Sequence, residues 1–389
     1  MTRSPPRQAE DAGASNASPP ALVVMLGGLS GGSLESLVRR ALEASALDSV
    51  ETALATDRYG RTLLLTDTRP AEALPSGTEV EIDGDEDFHF GRRLADAVAE
   101  HHLGSTLYLG GGAGPLLQGD DFEALAGGIA GPDPACVTNN FYSADLFAVT
   151  PASLLAGLDP LPAADNGVPR RLREDCGVDV VELPRSTGTQ MNIDSPGDLT
   201  ALALTGSTGP RLAAVLAGEA LDTERLAGAA MTFTDRDSEV LVAGRVSSRT
   251  WQYLERETAC RVRLLAEERG MGAAGRDADG SASSLLGQLL ASVGSQAFFG
   301  DLLPDLCDAA FIDIRPALIQ LGLHASRADR FAADVGQAAM VEDDRLREIV
   351  EAANASPVPV VLGGHSLVSG GLMLLNDWAW EEHDRALGL

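Results

Sequence analysis

The stretch Thr106–Leu117 (TLYLGGGAGPLL) does most to constrain how this chain folds. Bulky residues suited to a buried strand run straight into a glycine turn, and a helix is expected from about Asp120. Glycine admits positive φ and close backbone approach, so the turn can pass tightly against another loop or a ligand. The habit recurs at Ala21–Ser33, where ALVVML runs into Gly27–Gly28–Leu29–Ser30–Gly31–Gly32. It recurs again at Val358–Ser366, where a buried strand runs into Gly363–Gly364–His365. Strand, glycine turn and helix are the parts of an α/β sheet, whose ligands bind beyond the C-terminal strand ends. Gly27, Gly28, Gly111 and Gly112 are therefore candidate ligand-facing positions. A tight β–α connection without chemistry would leave the same pattern, and the first loop fits neither GxGxxG nor the Walker motif.

The chain has 389 residues, room for two or three domains, and 44% of them are hydrophobic, enough for a sizeable core. Its net charge of −28 disfavours a nucleic-acid or anionic-membrane partner. All 29 basic residues are arginine. Without lysine there is no P-loop lysine, no Schiff base and no lysine general base, so a phosphate must be held by arginine, backbone N–H groups or metal. Cys136, Cys176, Cys260 and Cys307 lie far apart, which argues against structural zinc and suits reduced thiols in a cytoplasmic protein. No apolar run approaches the length of a membrane span. Residues 1–20 read as a disordered tail.

Along the first half, strands are expected at Ala21–Leu26, Val50–Thr56, Thr62–Thr66 and Glu79–Ile82. An acidic surface loop, Asp83–Asp87, and an amphipathic helix, Phe90–His102, follow. Asn139 and Asn140 leave a strand ahead of Asp145. Adjacent asparagines suit either a ligand contact or an Asx turn. At Asn192–Leu199, Ser195, Pro196 and Asp198 make a helix start, with Ser195 as N-cap and Pro196 at the first helical position. That cap does not require Asp194, a strand-end carboxylate placed where a hard divalent cation could bridge phosphate oxygens.

Thr205–Pro210 reads as the domain boundary, dividing residues 21–205 from 206–389. The second half repeats the α/β habit, with a flexible loop at Gly272–Ser281 and helix through much of Arg327–Glu351. Arg245, Glu267, Glu268, Arg269, Asp313, Arg315 and His365 fall at its expected strand ends. Singly, each reads as a solvated or salt-bridged residue. Together they suggest a second pocket at the rim of a parallel sheet.

Three segments carry a resemblance. Leu26–Gly28, the turn ending in Pro115–Leu116–Leu117, and above all Asn192–Ile193–Asp194–Ser195–Pro196–Gly197–Asp198–Leu199 resemble nucleotidyltransferases of the GT-A (nucleotide-diphospho-sugar transferase) superfamily. The molybdenum-cofactor and phospholactate guanylyltransferases are nearest in pattern. The resemblance implies a GT-A-like three-layer α/β/α nucleotidyltransferase domain over about residues 20–205, followed by a second, smaller α/β domain of unassigned role. It implies transfer of a nucleoside monophosphate from an NTP to a small phosphorylated substrate. Gly27 and Gly28 would line the nucleotide, Asp194 would bind Mg²⁺, and Asn139, Asn140 and Asp145 would face the second substrate. The chain departs from the family at two points. Ala113 stands where the second metal-binding aspartate is expected, leaving Asp67 or Asp145 to compensate, and the loop cations are missing. A catalytically degenerate nucleotide- or ligand-binding regulatory protein on the same fold therefore stands as an alternative, as does chemistry housed in the second half.

Overall fold

The computed structural model describes residues 18–84, 88–271, 275–276 and 279–389. Most of the expected tail (1–17), the end of the acidic loop (85–87) and parts of the Gly272–Ser281 loop (272–274 and 277–278) lie outside the described residues.

Seven strands form the first sheet: β1 (Ala21–Leu26), β2 (Thr62–Thr66), β3 (Thr78–Ile82), β4 (Thr106–Gly110), β5 (Ala135–Thr138), β6 (Leu146–Thr150) and β7 (Asp179–Glu182). Their order is β3-β2-β1-β4-β6-β5-β7. All neighbours are parallel except β6, which runs antiparallel to β4 and β5. β1 and β2 are buried at every position, as strands covered on both faces must be. The chain winds outward from β1 through β2 to β3, then crosses to β4 on the other side. The carboxyl ends of β1 and β4 therefore open a crevice at a topological switch point.

Four parallel strands form the second sheet: β8 (Glu239–Gly244), β9 (Arg261–Ala266), β10 (Ala309–Asp313) and β11 (Val360–Gly363), ordered β11-β10-β8-β9. Its switch point lies between β8 and β10. This architecture matches the expected pair of α/β sheets.

One apolar core runs through both halves, joining Leu22 and Val24 of β1 to Phe311 of β10 and Leu375 near the C-terminus. The opposite face of the first sheet has its own core, including Val23, Leu63 and Phe147. The connection between halves is pinned. Buried Asp48 accepts the backbone N–H groups of Arg211 and Leu212, capping the helix Pro210–Ala217 from the first half.

Two expectations need correction. Val50–Thr56 is not a strand, because the helix Ser33–Leu54 continues through it. Ala46, Leu47, Val50 and Ala53 are buried at helical spacing, and this packing overrides the strand preference of Val50 and Thr52. Arg327–Glu351 divides into the helices Arg327–Asp334 and Asp344–Asn354. Among the described residues, no helix is long and apolar enough to cross a membrane.

Candidate active site

The carboxyl rims of the two sheets face each other, and two cavities open between and beside them. The first, of about 860 Å³, lies over the β1–β4 switch point and is lined by Gly27, Gly28, Gly111 and Gly112. The second, of about 1080 Å³, lies between the sheets and is lined by Arg185 and Gln190 from one side and Arg245, Arg269 and His365 from the other. Asp145, Asn166, Asn192 and Asp194 line both, forming a shared wall.

The glycine turns bring this wall together. A Cβ on Gly112 would stand 2.4 Å from the Ile193 carbonyl oxygen, so only glycine lets the β4 turn lie against the Asp194 segment. There the Ile193 N–H donates to the Gly112 carbonyl at 2.9 Å. Ala113 is buried and bridges to Asn192. Gly28 adopts φ +76° and donates its N–H to Asp67 at 2.9 Å.

Asn192 ties the carboxylates of the wall. Its Nδ2 donates to Asp194 at 3.0 Å and to Asp145 at 3.3 Å. Asp194 also accepts from the Ser366 hydroxyl of the β11 turn at 2.5 Å. Asp165, just before the helix Val168–Cys176, accepts from the Tyr108 hydroxyl at 2.9 Å. These partners are neutral groups. Burial first, then Asp194 and Asp165, push the Asp145 carboxyl up to about 8. Burial, with a contribution from Asp194, also raises Asp165. The three carboxylates repel one another across the wall, but among the described residues their oxygens do not gather within 4.8 Å as a metal-ligating trio; Glu81, Glu100 and His101, away from the wall, meet that spacing.

Asp67, the other carboxylate considered as a second ligand, is committed elsewhere. Burial opposes its ionisation, but the Gly28 N–H and the Arg39 guanidinium at 2.6 Å outweigh that and hold it below the usual carboxylate range. Asn140 makes the Asx turn, accepting the N–H groups of Tyr142 and Ser143. Asn139 is buried and shapes the same turn, bonding Asp145 and the Thr189 carbonyl. Ser195 and Asp198 make the expected capping box, and Asp198 accepts the Asp194 N–H at 2.9 Å.

The candidates of the second half separate. Arg245 grips fully buried Asp313 with two hydrogen bonds, at 2.6 and 3.1 Å. Arg315 reaches Asp334 at 2.5 Å and Glu268 pairs with Arg276. Asp313, Arg315 and Glu268 line neither cavity. Arg245, Arg269 and His365 line the cavity that also holds Asp194, so the expected second pocket is shared with the first half. Burial first, then Arg245, hold the His365 imidazole below its usual value.

Sequence reasoning missed Asp165, Asn192 and Ser366 as neighbours of Asp194, together with Arg92, which lines the glycine-lined cavity. Asn192 lay inside the recognised segment, two residues from Asp194. The others carry no local signal.

No protein-family model and no curated protein sequence matches this chain. Among solved structures it is similar to a cytidylyltransferase from Leptospira borgpetersenii, at 14% identity and a TM-score of 0.37, covering 52% of this chain and 93% of that one. It is also similar to a CMP:2-keto-3-deoxy-manno-octonic acid synthetase complexed with CTP, at 14% identity and a TM-score of 0.35, covering 52% of this chain and all of the other.

Proposed function

We propose that the protein transfers a nucleoside monophosphate from an NTP to a phosphorylated small molecule, with the two substrates on opposite sides of the Asp145–Asp194 wall. The observation that carries this reading is the shared wall itself. Asp145 and Asp194, tied together by the Asn192 amide, stand where a glycine-lined cavity meets a second, arginine-lined one.

In this reading the nucleotide occupies the glycine-lined cavity. Arg92 has no side-chain partner among the described residues and is free to meet phosphate charge there. Asp194 and Asp145 would hold Mg²⁺ with water completing its shell, and the ion's chemistry is to neutralise and orient the triphosphate. The Ser366 hydroxyl and the Asn192 amide fix the Asp194 carboxylate. An oxygen of the acceptor phosphate, entering from the inter-sheet cavity, attacks the α-phosphorus. That P–O bond forms as the bond to the β-phosphate breaks, and pyrophosphate leaves with the electron pair. Catalysis by this chain is then chiefly positioning and charge neutralisation.

The test is a screen of NTPs with Mg²⁺ for thermal stabilisation and pyrophosphate release, with Asp194→Ala as control. Release by the wild type and its loss in the variant are expected. Stabilisation without release under any acceptor would make this a nucleotide-binding protein on the same fold. Neither effect with any NTP would overturn the proposal.

A further inference from the structure

The inter-sheet cavity is lined by five arginines, Arg185, Arg245, Arg249, Arg256 and Arg269, against four carboxylates, Asp145, Asp194, Glu255 and Glu257. Over the whole chain carboxylates outnumber arginines 57 to 29, so a lining in which arginines are the more numerous departs from the average. Arg245 and Arg315 are paired with Asp313 and Asp334. Arg249 and Arg269, which line this cavity, have no side-chain partner among the described residues. Arg185 makes its firm bond to the Gln190 amide at 2.7 Å, while Glu182 stands off at 3.5 Å. These guanidiniums also feel one another. Partial desolvation at the cavity wall, then Arg185 and Arg245, disfavour the charge on exposed Arg269, and Arg249 adds to the same effect on Arg185.

The geometry points to Arg185, Arg249 and Arg269 as the anchor for the phosphate monoester of the acceptor, a subsite that exists only where the two halves of the chain meet. Arg185 follows β7 of the first sheet, Arg249 lies on the helix Ser248–Glu257, and Arg269 follows β9 of the second sheet. A phosphate monoester brings a charge of about −1.5 to −2 and three acceptor oxygens, which answers two unpaired guanidiniums in a way that one carboxylate does not. The cavity volume of about 1080 Å³ accommodates a small organic molecule behind that phosphate. The second half of the chain thereby supplies recognition of the acceptor, while the first supplies the nucleotide side. This assignment rests on the transferase reading for the reaction served, but the binding itself is measurable without nucleotide or metal.

The experiment is calorimetric titration of the full-length protein with glycerol 1-phosphate, glycerol and acetate, each alone. The expected result is saturable binding of glycerol 1-phosphate only, weakened roughly tenfold or more, about 1.4 kcal/mol, in Arg269→Gln and further in Arg249→Gln/Arg269→Gln. Arg345→Gln, a substitution on the remote helix Asp344–Asn354, should leave it unchanged. Both tested arginines are solvent-exposed, so folding should survive, and far-UV circular dichroism checks it. If the double variant misfolds, Arg269→Gln alone decides. No saturable binding by the wild type, equal binding by the arginine variants, or acetate binding as tight as glycerol 1-phosphate would each overturn the subsite. Arginine-dependent binding without pyrophosphate release from any NTP would leave the subsite standing and remove the transferase reading instead.

Discussion

The Ser366 hydroxyl donates a 2.5 Å hydrogen bond to the Asp194 carboxylate across 172 residues of sequence. It joins the turn after β11 to the segment that the first sheet presents at its rim. Arg327 makes a second such link, donating to the Gly28 carbonyl at 2.9 Å in the glycine loop after β1. The second sheet thus orients both a proposed metal ligand and the loop beside it.

Ser366→Ala should therefore reduce Mg²⁺ affinity and pyrophosphate release roughly 10- to 100-fold, the usual effect of losing a group that orients a metal ligand. Titrating Mg²⁺ against the melting temperature in the presence of NTP checks this. Unchanged affinity would show that Asp194 is oriented without the second half.

The metal-free protein should lose stability as pH rises. The Asp145 carboxyl titrates near 8 when folded, against 3.8 for its ordinary value, so the folded state keeps a proton that the unfolded chain releases. Its contribution is neutral in acid and grows more unfavourable between about pH 4 and pH 8. Asp145→Asn should flatten that decline and gain stability relative to wild type at pH 8, while abolishing Mg²⁺ binding. Parallel denaturation curves for the two proteins across this range would contradict the assignment.

Removing the buried partner of Arg245 should be costly. Asp313→Ala leaves a guanidinium without its two hydrogen bonds at the end of β8 and should destabilise by about 3–5 kcal/mol in urea unfolding. A loss below about 1 kcal/mol, the worth of an exposed pair, would mean that the ion pair is solvent-screened.

Gly112→Ala tests the close approach beneath the wall. The added methyl carbon would meet the Ile193 carbonyl at 2.4 Å, so the backbone must shift. The expected cost is about 1–3 kcal/mol of stability. Catalysis should suffer more, because the shift moves Asp194. Full activity in a less stable variant would show that the site tolerates this displacement.

Local sequence determined the parts of this protein. Apolar runs ending in glycine marked β1, β4 and β11. The Ser195–Asp198 cap left Asp194 without a structural duty, and lysine-free composition made arginine the cation for any anionic ligand. These features depend on neighbours in the chain, so their pattern could be read directly. Val50–Thr56 was misread because burial against the sheet decided its conformation. Only the tertiary structure selected Asp145 over Asp67 as the carboxylate beside Asp194, added Asp165 and Ser366, and paired Arg245, Arg315 and Glu268 with nearby charges while leaving Arg249 and Arg269 facing the cavity. The reason is topological. Residues from different strand ends meet where two switch points face each other, and the pairing of charges there depends on distances that sheet packing sets.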